Sequence, residues 1–212
     1  AVAEATKTEL GSAIQNRITR ASQDDNSAIA RFVQAGASAN EVINNVRLMI
    51  SGGINEPRDG IGLVAWVLLS QPDLKARIDA EPAKLRRLIE EVMRIYSPVG
   101  TLTRQTTADV QLSGVTIPKG HLVAGVLRSI NLDEDHWTRP MTIDVDRREG
   151  GHAAFALGAH RCLGEWLGRQ EIKIGVERLF ARFPNLRLDP DAGPVDLHGF
   201  EFRGPKAVHV LT

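Results

Sequence analysis

A chain of 212 residues, 42% apolar and 25% charged, has a globular composition that excludes disordered and collagen-like classes. Lys plus Arg at 26 balance Asp plus Glu at 26, so no net field draws the chain to nucleic acid or to a membrane. A single cysteine excludes an internal disulfide and a CxxC motif, and it suits a reducing, cytoplasmic setting.

The opening AVAEATKTEL has no initiating Met and no basic-then-apolar signal pattern, and it reads as the interior of a helix in a chain that starts mid-protein. Residues 3–21 read as a polar amphipathic helix and 25–33 as a shorter one opened by Asp25, Asn26 and Ser27. Ser38 and Glu41 form a capping box that opens a long helix over 39–69, kinked near Gly52 and Gly53 by SGGINEP. Its near-apolar run, 61–69, is half the length that crosses a bilayer. Pro72 starts a helix ending near Ala80, and Pro82 opens another over 82–96 whose apolar face is Leu85, Leu88, Ile89, Val92 and Tyr96. From 101 to 127 the period becomes two, giving a small sheet with a hairpin at Ser113-Gly114 and a further strand in HLVAGVL. Residues 131–161 are loop apart from a turn at DEDHW, too long a connection to be without a role. A helix over 161–182 follows, with Leu163, Trp166, Leu167, Ile174, Leu179 and Phe180 as its buried side. Pro184 stops it, and the tail to Thr212 is loop with short strands. The fold class is mainly α with a small β portion (α+β).

Chemistry concentrates in FALGAHRCLG, 155–164. A thiol at the start of a helix, flanked by His160 and Arg161, stands in a field that favours its anionic form. Gly158 permits a tight turn, Gly164 lets the helix approach something flat, and Phe155 is placed to cover the sulfur. These are the needs of a thiolate ligand to haem iron. The competing readings are a buried structural cysteine and a nucleophile, although His160, two positions away, does not face Cys162 as a general base should.

The spacing F-x-x-G-x-H-R-C-x-G closely resembles the haem-binding loop of cytochrome P450s, with Ala156 where a Gly is frequent. In EEVMR, Glu91 and Arg94 resemble the family's E-x-x-R pair, and Arg147 in DVDRREGGHAAF the arginine that joins them in a structural triad. Arg104 in TLTRQTT, like His160, resembles a partner of a haem propionate. Taken singly, each is as well explained by an ordinary surface charge pair. TIPKG and NLDEDHW also look like connecting segments of that family, and the resemblance covers essentially 38–212.

The resemblance implies the C-terminal half of one cytochrome P450 domain, with a cysteine loop and helix over 155–182 and the N-terminal half absent. It implies haem b with Cys162 as axial ligand, and electrons from NAD(P)H through a ferredoxin or flavin reductase, since no nucleotide fingerprint is present. The implied activity is that of a monooxygenase that hydroxylates or O-dealkylates a small, mostly apolar substrate with dioxygen. At the kink the sequence departs from pattern, because Gly52, Gly53, Ile54, Asn55, Glu56 puts an amide and a carboxylate where an acid and an alcohol usually relay protons. Glu56 is therefore either the relay or a cap of the interrupted helix. Glu56-Pro57 and the tail GFEFRGP resemble a bacterial branch that includes O-demethylases of aromatic methyl ethers. By position Gly52, Val99, Thr101 and Phe202 line the substrate pocket. The rival reading is a non-catalytic haem-binding sensor or an inactive relative, and a peroxide-driven oxygenase is a lesser one.

Overall fold

The computed structural model describes residues 2–21 and 25–212. The chain divides into two compact units, 1–55 and 56–212.

The first unit holds α1 (Val2–Thr19), α2 (Ala28–Gln34) and α3 (Ala39–Gly52). Helix α2 starts at Ala28 rather than at 25 because Ser27 is its cap: Ser27 Oγ accepts the Ala30 N–H at 3.2 Å, while Asp25 accepts the Ser27 N–H at 2.8 Å. The capping box of α3 forms as the sequence reads, with Glu41 accepting the Ser38 N–H at 2.8 Å and Ser38 Oγ accepting the Glu41 N–H at 3.3 Å. Ile14, Val42 and Val46 make this unit's small core.

The expected kink is a full break. Helix α3 ends with the Gly53 N–H on the Met49 carbonyl, and α4 (Asn55–Ser70) begins two residues later. Pro57 is the cause, because in a continuous helix it could offer no N–H to residue 53, whereas the first turn of a new helix needs none from it.

The second unit continues with α5 (Pro72–Ala80), a 3-10 turn (Pro82–Lys84) and α6 (Leu85–Tyr96), so the helix expected over 82–96 is tighter in its first three residues. Strands β1 (Thr101–Gln105), β2 (Val110–Leu112), β3 (Val115–Ile117) and β4 (Leu122–Val126) follow. They form two separate antiparallel pairs, β1 with β4 and β2 with β3, rather than one sheet over 101–127. Positive φ at both Ser113 and Gly114 gives the tight turn between β2 and β3. A short helix α7 (Leu127–Ile130) was not legible in the sequence, and the next long element is α8 (Glu165–Arg182). The tail carries β5 (Arg187–Leu188), β6 (Leu197–His198), β7 (Gly204–Pro205) and β8 (Val210–Leu211), paired β5 with β8 and β6 with β7.

The core of this unit joins α4, α5, α6 and α8 through Leu63, Val64, Ile78, Leu88, Ile89, Val92, Ile172 and Val176. Two glycines let α4 and α8 approach closely: a Cβ on Gly60 would lie 2.5 Å from Ile172 Cδ1, and one on Gly175 would lie 2.5 Å from Ile61 Cδ1. Among the described residues no helix is long and apolar enough to cross a membrane.

Helix α8 departs from its reading in two ways. It starts at Glu165 instead of 161, because Arg161 is extended and Leu163-Gly164 form a turn. Its buried residues are Glu165, Ile172 and Val176, whereas Leu163, Trp166, Leu167 and Ile174 are exposed and Leu179 and Phe180 are half-buried. Of the stripe read as core, Phe180 packs against the core, whereas Leu163, Trp166, Leu167 and Ile174 stay largely exposed.

Candidate functional site

The long loop between α7 and α8 is anchored by ions. Glu91 on α6 accepts Arg94 Nε at 2.8 Å, Arg94 Nη2 at 3.0 Å, Arg147 Nε at 2.9 Å and the Asp144 N–H at 3.0 Å. Burial opposes ionisation of Glu91, but the bonds from Arg94, then Arg147, then Asp144 outweigh it and lower its pKa. The two guanidiniums spend their remaining donors on loop carbonyls: Arg94 reaches Asn131 at 3.0 Å and Pro140 at 2.7 Å, and Arg147 reaches Thr138 at 2.7 Å and Thr142 at 3.0 Å. Trp137 lies beneath Arg94 at 4.9 Å. Asn131, fully buried, donates to Ser97 Oγ at 3.0 Å and accepts the Ala153 N–H at 2.6 Å. A loop without regular structure is thus held by satisfied polar groups.

Beyond Ala153 the chain turns sharply, with φ of 58° at Ala156 and 70° at Gly158, into a 3-10 turn (Gly158–His160). The Cys162 N–H closes the loop on the Phe155 carbonyl at 2.8 Å. Cys162 is exposed and stands three residues before α8, not within its first turn. Phe155 is half-buried, with its ring 4.2 Å from the Arg169 guanidinium carbon.

A second ionic cluster, which the sequence reading missed, lies behind this loop. Arg169 on α8 binds both oxygens of Glu90 on α6 at 2.7 and 3.0 Å, and reaches Glu165 at 3.1 Å. Glu165 in turn pairs with Arg161 at 2.8 Å. His152 accepts the Ala154 N–H at Nδ1, so its Nε2–H donates to Glu90 at 2.9 Å. Burial opposes ionisation of Glu90, but His152 and Arg169 prevail and bring its pKa down to about 2. The Arg161-Glu165-Arg169 spacing was a visible signal, since residues four apart share a helix face. Nothing local points from Glu90 to Arg169.

The remaining expected residues are placed as follows. Arg104 on β1 and His160 are both exposed, Arg104 bonding only the Thr103 carbonyl at 2.8 Å. No hydrogen bond or ion pair joins Arg104, His160 and Cys162. Val99 and Phe202 meet as a β-bridge, Thr101 is buried and Phe202 is exposed. Gly52, Gly53 and Asn55 are exposed in the first unit. Glu56, in the first turn of α4, is half-buried, and its Oε2 is buried with no hydrogen-bond partner among the described residues. Burial first, with the nearby Asp59 charge adding, raises its pKa.

These features fit a haem. Leu157, Leu163, Trp166 and Leu167, within five residues of Cys162 in sequence, expose 62%, 80%, 71% and 62% of their surface, an apolar surface suited to a flat macrocycle. A Cβ on Gly158 or Gly168 would meet nothing within 4 Å, and one on Gly164 would meet only the Cys162 sulfur at 4.0 Å. Among the described residues no group of three or more His, Cys, Asp or Glu could hold a metal ion.

The profile of the family described as Cytochrome P450 matches residues 84–200, more than half of the chain. "6-Deoxyerythronolide B hydroxylase" of Saccharopolyspora erythraea is 30% identical over 192 residues, 91% of this chain and 46% of that protein. "Cytochrome p450 CYP199A2" of Rhodopseudomonas palustris is 35% identical over 150 residues, 71% of this chain and 36% of that protein. The chain therefore spans less than half the length of these relatives. Among solved structures, ligand-free cytochrome P450 TbtJ1 superposes with a TM-score of 0.89 at 29% identity, covering 98% of this chain and 56% of that one.

Proposed function

The chain belongs to the cytochrome P450 family, and from that premise we propose that it carries the haem-thiolate half of a monooxygenase acting on a small, mostly apolar molecule. Haem, when bound, supplies the redox iron centre that activates dioxygen for insertion of one oxygen atom into a C–H bond. The observation that carries the reading is the chain's only cysteine, exposed at the end of a turn with left-handed backbone at Ala156 and Gly158 and flanked in sequence by the exposed Leu157, Leu163, Trp166 and Leu167.

In this reading Cys162 would supply the thiolate that holds the haem iron. Its own N–H is committed to the Phe155 carbonyl, which fixes the sulfur's direction. Gly158 and Gly164 would leave room for a flat group beside the sulfur, and Leu163, Trp166 and Leu167 offer exposed apolar surface for it to cover. Arg104 and His160, both exposed, would hold the two propionates. Glu91, Arg94 and Arg147 hold the preceding loop. Glu56, whose buried oxygen has no partner among the described residues and whose pKa is raised, holds or passes a proton at Oε2, with Asn55 beside it in sequence as a hydrogen-bonding amide. Gly52 and Gly53 open the helix there. Val99, Thr101 and Phe202 line the substrate pocket. Electrons arrive from NAD(P)H through a ferredoxin or flavin reductase. The hydroxylases among the relatives act on the molecules in their names, and the Glu56-Pro57 break with the GFEFRGP tail favours a small ether here.

The test is the reduced carbon monoxide spectrum of the haem-loaded protein: a red-shifted thiolate band in the wild type, lost in Cys162→His with haem retained, is the expected result. An unshifted wild-type band overturns the reading. The replacement of acid and alcohol by Asn55 and Glu56 favours a second reading, a haem sensor without turnover. Substrate-dependent NADH consumption with a reductase and small aromatic ethers separates the two.

A further inference from the structure

We propose that Arg169 is a positioning residue for the Cys162 thiolate, gripping both ends of the cysteine loop through one guanidinium. The proposal rests on Cys162 as axial ligand and goes beyond it. The loop over 155–162 needs such a grip, because it holds a non-glycine residue in left-handed backbone at Ala156 and exposes Leu157, Gly158, Ala159, His160 and Cys162. At one end, the flat face of Arg169 lies 4.2 Å from the centre of the Phe155 ring, and the Phe155 carbonyl receives the Cys162 N–H. At the other end, Arg169 bonds Glu165 at 3.1 Å, and Glu165 holds Arg161, the residue before the cysteine, at 2.8 Å.

The edge of the same guanidinium is fixed to the scaffold by the bidentate pair with Glu90 on α6, and Glu90 is fixed in turn by His152. The triad of Glu91, Arg94 and Arg147 secures the loop up to Asp144 and Arg147, with Arg147 reaching Glu149 at 3.7 Å, all before the turn. Asn131 and His152 hold the chain at Ala153 and Ala154, and Arg169 links α6 and α8 to the two ends of the turn beyond them. Lysine cannot replace it: one ammonium cannot span Glu90 and Glu165 while lying flat on Phe155.

The experiment compares wild type, Arg169→Lys, Arg169→Leu and Glu90→Gln/Arg169→Leu in the haem-loaded protein, at conditions where all are folded by circular dichroism. The double variant removes the carboxylate that Arg169→Leu leaves without its partner, so one charge-balanced protein remains available if the single change unfolds. Expected are haem loss to an acceptor apoprotein faster by roughly 10–100-fold in the Leu variants, a mixture of thiolate and thiol carbon monoxide bands, and an intermediate result for Lys. Cys162 alkylation by iodoacetamide in the haem-free chain should rise in the same order. Variants that are only less stable, with wild-type bands, haem loss and alkylation in their folded fraction, overturn the positioning role. A wild type without the thiolate band instead overturns the ligand reading on which the proposal rests.

Discussion

Glu91→Gln removes one negative charge from a place where two guanidiniums depend on it. Arg94 and Arg147 have 0% and 4% of their side chains exposed, so water cannot take over from the carboxylate. Glutamine keeps one carbonyl acceptor for the four donors that Glu91 satisfies, and it turns an NH2 towards cations. Breaking a buried ion pair by removing one partner costs about 3–5 kcal/mol, which is a fifth or more of a typical domain's stability of about 5–15 kcal/mol. Urea unfolding followed by circular dichroism reads this as a lower midpoint at unchanged slope. The lowered pKa gives an independent sign: the contribution of Glu91 is complete above its ordinary value of 4.5 and is lost as pH falls through the lower folded value. The Gln variant should lack that part of the acid limb. A loss under about 1 kcal/mol, or an unchanged acid limb, refutes the triad as the anchor of the loop.

Ala156→Gly relieves a left-handed alanine at φ 58°, and the gain, reduced by the extra chain entropy of glycine, is about 0.5–1 kcal/mol; it reads as a Tm higher by about 2 °C, and an unchanged or lower Tm contradicts the strain. Gly100→Ala sets a Cβ 2.0 Å from the Phe200 carbonyl oxygen, a backbone atom, and should separate 98–101 from 200–203, losing the Gly100 N–H to Glu201 bond at 2.8 Å. Faster amide exchange at Gly100 and Arg203 checks it, and wild-type protection there refutes it. Glu56, whose folded pKa is raised, should make the wild type lose stability as pH rises from about 4.5; Glu56→Gln should remove that slope. If Glu56 carries protons, the same variant in the haem-loaded protein diverts electrons to hydrogen peroxide, and wild-type coupling removes it from the relay.

How much of this site the sequence discloses depends on the range of the forces that build each part. Ser38 with Glu41 and Ser113 with Gly114 are legible because the partners lie within one turn and residue type alone sets the geometry. Glu91 and Arg94, three apart on a helix, are legible as a pair, but nothing in the spacing brings in Arg147, 56 positions away, and the family resemblance supplied it. The Glu90-Arg169 pair spans 79 positions and had no such guide, although its geometry is as good. The start of α8 was misplaced for a related reason: FALGAHRCLG carries the side chains of a helix start, whereas its backbone is fixed by the Cys162 to Phe155 bond and by two left-handed residues. The exposed stripe of Leu163, Trp166, Leu167 and Ile174 is the most instructive difference. A 3.6-residue apolar period identifies which side chains gain from leaving water, but it is silent on what covers them. Glu165, Ile172 and Val176 meet the rest of this unit, while Leu163, Trp166 and Leu167, close to Cys162 in sequence, are exposed. Periodicity therefore identifies which face is apolar, and only the tertiary structure shows that Ile172 and Val176 are the part of α8 this unit covers.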